Sequence, residues 1–490
     1  MSALPTAPHR GRHIVRILCR LLVPTLVAGL VAACSEPAGS PTPAAGAQAP
    51  KGESRHPNVV FVVIDDLNAW VGFLGEHPQV RTPNLDRLAA RGRVFTHAYS
   101  TAPLCNPSRS SVLTGLLPTS TGIYDNRQPL RLGLPDVVTL PQYFAAHGYR
   151  TAAAGKIFHD EDPQSWQEAQ PKVHGPGPRH RPANGLVGAE ATLDWAAIDA
   201  PEDATYDFQV TAWATDYVRR AGTDPYFLGV GLTAPHLPWY VPREIFEHYP
   251  PAETVLPETL EGDLDDVPEV GQLIARRRDE HAEIVAAGSW HDAVAAYLAS
   301  IELSDKALGG LLDAVDASPR AAETIFVVWS DHGFHLGEKE HWRKGTLWEE
   351  GVRVPLLLAG PGVEPGRSEQ PVSLVDLYPT LVELAGLAPV PGLDGVSLEP
   401  LWQSPETPWN HPALSFKRRE AAVRTERWRA VFYRDGGEEL YDHQADPHEW
   451  HNLAGDPAEA PVLEELRALL PELREPMAPW AEGRSEEDDG

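Results

Sequence analysis

Of the three cysteines in the chain, Cys19 and Cys34 fall within the first 34 residues. The third stands in Cys105-Asn106-Pro107-Ser108-Arg109, followed by Leu113-Thr114-Gly115. A solitary thiol has no internal disulfide partner and makes a poor metal site by itself. Its surroundings favour a chemical role over a structural one. Pro107 is preset for a first helical turn, Asn106 is placed to cap it, and Gly115 to end it. This grammar puts Cys105 just before a helix N-terminus, where free N–H groups and the helix dipole favour an anion.

Four further clusters of charged or imidazole side chains each follow a short apolar run. Asp65-Asp66 follow residues 59–64. Gly155-Lys156-Ile157-Phe158-His159 follow residues 149–154. His236 follows residues 227–232, and Asp331-His332-Gly333 follow residues 324–329. If these runs are strands of one open parallel sheet, their carboxyl ends meet at a single edge, which is where ligands bind. Asp65, Asp66 and Asp331 placed together would raise one another's pKa. A divalent cation resolves that conflict, and an oxygen-rich set suits Ca²⁺ or Mg²⁺ better than Zn²⁺. His332 then serves as a fourth protein ligand. Taken singly, Asp65-Asp66 reads equally well as a turn, His159 as a core histidine and Lys344 as a solvated lysine. Their placement at one edge reads as a site.

The string Cys-x-Pro-Ser-Arg with its Leu-Thr-Gly resembles the maturation signature of the type I sulfatases. The resemblance implies that Cys105 is oxidised to Cα-formylglycine by a formylglycine-generating or equivalent maturation enzyme, and that the hydrated aldehyde is the nucleophile. The other Cys/Arg arrangement, that of protein tyrosine phosphatases, needs its arginine six positions after the cysteine, where this chain has Ser111. The match continues residue by residue. Asp65, Asp66, Asp331 and His332 fall on the family's metal set, completed by residue 105. A histidine at 332 and the Gly-Lys-x-x-His spacing at 155–159 resemble the iduronate-2-sulfatase-like branch. Pro235-His236-Leu237-Pro238, Trp342-Arg343-Lys344 and Glu439-Leu440-Tyr441-Asp442, with Asp446-Pro447, Glu449 and Asn452-Leu453, extend the resemblance over residues 56–455.

This resemblance implies Ca²⁺, with Mg²⁺ second, and it implies roles. Arg109 and Lys156 hold oxygens and developing charge. His236 and Lys344 contact the sulfate, one of them protonating the leaving group. His159 takes a proton from the remaining hydroxyl. The expected activity is hydrolysis of a sulfate ester on a sulfated saccharide. The alternatives are a phosphohydrolase or phosphonate hydrolase on the same scaffold, or a lipoprotein that binds sulfated glycans without turnover. His97, His335 and His341 take no assignment. Trp70, Trp239, Trp342 and Trp348 are stacking candidates, although tryptophan more often belongs to a core.

The elements that must position these residues follow from pattern. At 490 residues and 42% hydrophobic content the chain can build a large core. Its 41 basic against 69 acidic residues give a net charge of −28, which excludes nucleic acid as a partner while leaving room for a local basic cluster around an anionic substrate. Strands at 59–64, 149–154, 227–232, 324–329 and 354–358 alternate with helices at 82–91, 140–147, 206–220 and 290–315. This predicts an α/β domain, a mostly parallel sheet sandwiched by helices, over residues 56–400. The resemblance makes the fold alkaline-phosphatase-like. Residues 401–490 predict a smaller subdomain with short antiparallel strands at 421–425, 429–433 and 439–441 and a helix at 460–470. Residues 160–204 and 250–276 read as long aperiodic insertions.

Arg10, Arg12, Arg16 and Arg20 precede an apolar run at 21–33, the pattern of a signal peptide. Leu30-Val31-Ala32-Ala33-Cys34 resembles a bacterial lipobox, so residues 1–34 are expected to be a lipoprotein leader. Residues 35–55, rich in Pro, Ala and Gly, then read as a flexible tether. The expected location is a bacterial membrane surface, periplasmic or external, held by a lipid on Cys34.

Overall fold

The computed structural model describes residues 56–186, 193–472 and 475–481. The leader, Cys34 and the whole of the tether lie outside these residues. Asn58–Ile64 is buried along its whole length, as an uninterrupted β-branched run requires when both sheet faces are covered. Side chains alternate across a strand, and the two faces enter different cores. Val60, Val62 and Ile64 pack with Tyr206–Arg220 and Trp290–Asp316 residues such as Val210, Val294 and Leu308. Val59, Phe61 and Val63 pack with Val112, Phe144 and Leu381 from the opposite helical layer.

The principal sheet has eight strands in the order Gly366–Ser373, Arg93–Tyr99, Arg353–Ala359, Thr324–Ser330, Asn58–Ile64, Tyr226–Leu232, Arg150–Gly155 and Glu168–Ala169. All neighbouring pairs are parallel except those of Arg353–Ala359, which runs antiparallel to both its neighbours. The four strands whose ends carry the predicted clusters lie side by side in this order. A separate antiparallel sheet runs Ala413–Lys417, Glu420–Arg424, Trp428–Phe432, Glu438–Asp442. Leu463 and Leu466 of Ala460–Ala468 close its core against Phe432 and Leu440.

Several strands escape the sequence pattern. Arg93–Tyr99 carries Arg93, Thr96 and His97, Gly366–Ser373 is a largely polar edge strand, and Ala413–Lys417 is a further strand that the pattern does not mark. The insertions are also more ordered than expected. Trp195–Ile198 pairs in parallel with Trp239–Pro242, and residues 250–276 contain the helix Glu269–Ala275. Among the described residues no helix is long and apolar enough to cross a membrane.

Candidate active site

Most of the candidate site residues follow the end of a strand. Asp65 and Asp66 leave Asn58–Ile64, Lys156 leaves Arg150–Gly155, and Asp331 and His332 leave Thr324–Ser330. His236 lies four residues past Tyr226–Leu232. Cys105 arrives from the Arg93–Tyr99 strand by a short loop and is the first residue of the helix Cys105–Thr114, every residue of which is buried. Leu104, not Asn106, is the N-cap. The Asn106 amide turns instead to the carbonyls of Asp125 and Gln128, at 3.0 and 2.7 Å, and so ties the helix start to that loop. Gly115 ends the helix at φ 70°, the left-handed geometry that glycine adopts without a Cβ penalty.

Arg109, one turn along the helix, is the buried hub. Its Nη2 donates to Asp65 Oδ1 at 2.9 Å and its Nε to Asp331 Oδ2 at 2.8 Å. Lys156 Nζ reaches Asp65 Oδ2 at 2.6 Å. Lys344 Nζ donates to Asp66 Oδ1 at 2.7 Å and to the Cys105 sulfur at 3.2 Å. His332 Nε2 lies 3.3 Å from that sulfur and 3.3 Å from Asp66 Oδ1. His236 Nε2 stands 4.0 Å from Asp66 Oδ2. Asp66 holds a left-handed φ of 61°, a conformation costing about 1–3 kcal/mol that surroundings must over-determine. They do so: its N–H donates to Asp331 Oδ1 at 3.1 Å, and its carbonyl accepts the Tyr297 hydroxyl at 2.8 Å.

Charge follows from this crowding. Burial alone would raise the Cys105 thiol, but Lys156 and Lys344 overcome it and hold the group well below its usual range. Burial opposes ionisation of Asp65 too, and again Lys156 and Arg109 hold it well below the usual carboxylate value. Asp331 goes the other way, pushed up to about 7 by burial that Arg109 and His332 only partly offset. Burial disfavours charge on His332, but Asp331 and Cys105 raise it to about 9. Burial lowers His236, with Asp66 opposing, while Asp66 and Cys105 raise Lys344 against burial.

Ligand atoms of Asp65, Cys105, Asp331 and His332 all lie within 4.8 Å of one another, and Asp66 adjoins them through His332. The three carboxylates Asp65, Asp66 and Asp331 are hard donors that fit a divalent cation such as Ca²⁺ or Mg²⁺ once residue 105 offers oxygen in place of its soft sulfur. The crowding of Asp65, Asp66 and Asp331 at one buried edge is the conflict that such a cation relieves.

Lys156, His159 and His236 border a cleft of about 800 Å³, lined also by residues of the 161–176 stretch, including Trp166, and by Tyr206 and Tyr240. His159 Nδ1 is buried without a hydrogen-bond partner among the described residues. The four tryptophans read as stacking candidates are instead buried. Trp239, for example, spends its indole N–H on the Pro235 carbonyl at 2.6 Å. His97 bonds the Glu369 carbonyl, and His335 bonds Thr346 at 2.7 Å. His341 contacts the Lys344 carbonyl at 3.1 Å and so braces the segment carrying that lysine.

Sequence reasoning missed the supports. Tyr297, within the helix expected at 290–315, bridges Asp66 and Asn68. Asp207 accepts the N–H groups of Thr233 and Ala234, at 2.7 and 3.0 Å, fixing the approach to His236. The C-terminal signature also acquires a physical meaning. Glu439 accepts the Trp348 indole at 2.7 Å, Glu449 accepts the Glu349 N–H at 2.9 Å, and buried Arg429 pairs with both Glu349 and Glu449. These contacts fasten the 335–349 segment, and Lys344 with it, to the antiparallel sheet.

An eight-stranded, mostly parallel sheet between helical layers, with a small antiparallel sheet beside it, is an alkaline-phosphatase-like fold. Residues 57–387 match the Sulfatase family model, and residues 337–476 match that of the N-sulphoglucosamine sulphohydrolase C-terminal region. The chain belongs to the sulfatase family and is a sulfuric ester hydrolase. It is 37% identical to a sulfatase of Formosa agariphila, over 85% of this chain and 86% of that one. It is 30% identical to choline-sulfatase of Rhizobium meliloti, over 82% and 83%, and 31% identical to iduronate 2-sulfatase of Homo sapiens, over 67% and 69%. A solved 2-O GAG sulfatase superposes with a TM-score of 0.70 at 25% identity, covering 85% of this chain and 91% of that one.

Proposed function

We propose that this sulfatase removes sulfate from a sulfated saccharide, using residue 105 as formylglycine. The observation that carries the reading is the convergence of Lys344 Nζ and His332 Nε2 on the residue 105 position, at 3.2 and 3.3 Å, beside the Asp65–Arg109–Asp331 cluster. Similarity to iduronate 2-sulfatase and to a 2-O GAG sulfatase supports a saccharide substrate, as does a cleft lined by Trp166, Tyr206 and Tyr240.

Asp65, Asp66, Asp331, His332 and the oxygen of residue 105 would hold a divalent cation, Ca²⁺ before Mg²⁺. When bound, it supplies positive charge to the carboxylates and to the sulfate oxygens. The remaining chemistry belongs to the chain. The aldehyde at residue 105 adds water to become a gem-diol. One hydroxyl gives its proton to solvent and attacks sulfur, and the sulfur–oxygen bond to the sugar breaks. Arg109 and Lys156 stabilise charge on the transferring group. The sugar oxygen takes a proton from His236. Finally the second hydroxyl gives its proton to His159, the carbon–oxygen bond to sulfate breaks, and the aldehyde returns.

We assign the leaving-group acid to His236 over Lys344 because His236 borders the large cleft, whereas Lys344 contacts the Cys105 sulfur. Sulfate release from defined sulfated saccharides, against phosphate and phosphonate esters as controls, tests the function. Turnover of phosphonates or phosphates in preference to every sulfate ester would overturn it.

A further inference from the structure

We infer that residues 475–481 form a strap that positions the nucleophile; the inference rests on residue 105 as the attacking group and extends that reading to how the group is held. The strap runs along residues 119–127. The N–H groups of Glu475, Ala478 and Ala481 donate to the carbonyls of Thr119, Gly122 and Arg127, at 3.0, 2.8 and 2.8 Å. Their spacing of three residues is the repeat of a polyproline II helix. Pro476 and Pro479, which have no N–H to give, fall between them. The fit is close, since a Cβ on Gly122 would meet the Pro476 carbonyl oxygen at 2.2 Å. The Arg127 guanidinium lies over the Trp480 ring, 4.1 Å from its centre, as a cation–π contact.

The strapped loop is the one that holds the start of the nucleophile helix. The Asn106 N–H donates to Asn126 Oδ1 at 2.9 Å, and the Asn106 side-chain amide donates to the carbonyls of Asp125 and Gln128. Gln128 joins the two sides. Its carbonyl accepts from Asn106, and its own amide donates to the Ala478 carbonyl of the strap at 2.5 Å. Arg127, stacked on Trp480, grips the Asp125 carboxylate through two contacts of 2.8 Å. Asn106, Asp125, Asn126, Arg127 and Gln128 are all buried, and a buried polar network holds its geometry when its members are satisfied. Hydrophobic burial does not explain the strap. Ala478 is the only buried side chain among residues 475–481, whereas Met477 and Trp480 are 47% and 46% exposed. A segment that buries so little apolar surface adds little to global stability. Its loss would nonetheless take three N–H donors and one carbonyl acceptor from the loop beside residue 105, and a misplacement of about 1 Å at a reacting group can cost about a hundredfold in rate.

The test uses the full-length enzyme carrying Trp480→Ala, Trp480→Phe or Ala478→Asp, the last placing a charge where the strap meets the loop. Turnover of a 2-O-sulfated uronic acid saccharide and of nitrophenyl sulfate is divided by the formylglycine content from mass spectrometry, so that incomplete maturation does not count. We expect kcat to fall about tenfold in Ala478→Asp and about threefold in Trp480→Ala. KM should stay within about twofold of wild type, because the strap does not line the large cleft. Trp480→Phe keeps a ring over Arg127 and should restore kcat. Hydrogen exchange of the Asn106 amide should quicken in the two weakened variants, while the melting temperature moves by no more than about 4 °C. Unchanged kcat in both weakened variants would overturn the inference. So would a raised KM with kcat intact, unaltered Asn106 exchange, or a kcat loss that merely follows the unfolded fraction. Should Ala478→Asp not fold, the Trp480 pair carries the test. Wild-type enzyme that is active with an unmodified thiol would instead contradict residue 105 as formylglycine, and Asn106 exchange would still decide whether the strap holds the helix.

Discussion

Arg109 shows why the centre must be treated as a unit. It is buried between Asp65 and Asp331, and breaking such a pair by removing one partner costs about 3–5 kcal/mol. Arg109→Ala is therefore expected to lower the urea midpoint substantially and abolish turnover. Arg109→Lys should recover part of the stability but not the two-carboxylate fork. An unchanged midpoint in the alanine variant would contradict the hub assignment. The metal prediction belongs at this scale too. Elemental analysis should find one Ca²⁺ or Mg²⁺ per chain, and Asp331→Ala should lose it together with activity. Stoichiometric zinc, or full activity in that variant, would sink the donor-set argument. Asp207 offers a pH test. Burial raises it to about 7, against an ordinary value of about 3.9, so the folded chain keeps a proton that the unfolded chain gives up across that interval. The associated stability is present below about pH 4 and is lost as pH rises through about 7. Asp207→Asn, permanently neutral, should lack this decline, so from pH 5 to 8 the wild-type melting temperature should fall relative to the variant. Parallel curves would refute the raised value.

At the scale of elements, glycines set the strand ends. Gly155 has φ +73°, and a Cβ there would meet the Gly231 carbonyl oxygen at 2.1 Å. Gly155→Ala should cost more than about 1 kcal/mol, and should cut kcat because Lys156 is the next residue. A normal kcat would show that Lys156 is positioned by something else. The same element explains what was legible in the sequence. Residues 59–64, 227–232 and 324–329 are apolar because helices cover both faces, so strand ends and site residues announced themselves together. Arg93–Tyr99 was invisible because Thr96 and His97 turn to carbonyls of the neighbouring edge strand, at 3.1 and 3.0 Å. Without that strand, Cys105 could be placed on a helix but not at the sheet edge. Asn106 misled because its side chain serves a distant loop, a long-range contact that local capping rules cannot register. Tyr297 and Asp207 were hidden for the same reason, since helical periodicity reports burial and not what a polar atom bonds.

The whole molecule joins two sheets through one charged seam. Glu439 and Glu449 hold the 335–349 segment, so the antiparallel sheet helps fix Lys344 although it bears no catalytic side chain. Glu449→Gln should lower kcat several-fold while leaving the principal sheet folded, as followed by near-ultraviolet circular dichroism alongside kinetics. Unaltered kinetics would make the seam purely structural. We also propose that the mature chain is anchored through a lipid on Cys34. Cys34→Ser should then release active enzyme from the membrane fraction, and wild-type protein that is wholly soluble and unacylated would rule the anchor out. The central claim is that residue 105 acts as an aldehyde-derived nucleophile on sulfate esters. Its most direct test is mass spectrometry of the peptide spanning residue 105, taken from enzyme shown to release sulfate. The account predicts formylglycine or its hydrate at that position, in proportion to specific activity. A fully unmodified thiol in active enzyme would contradict it.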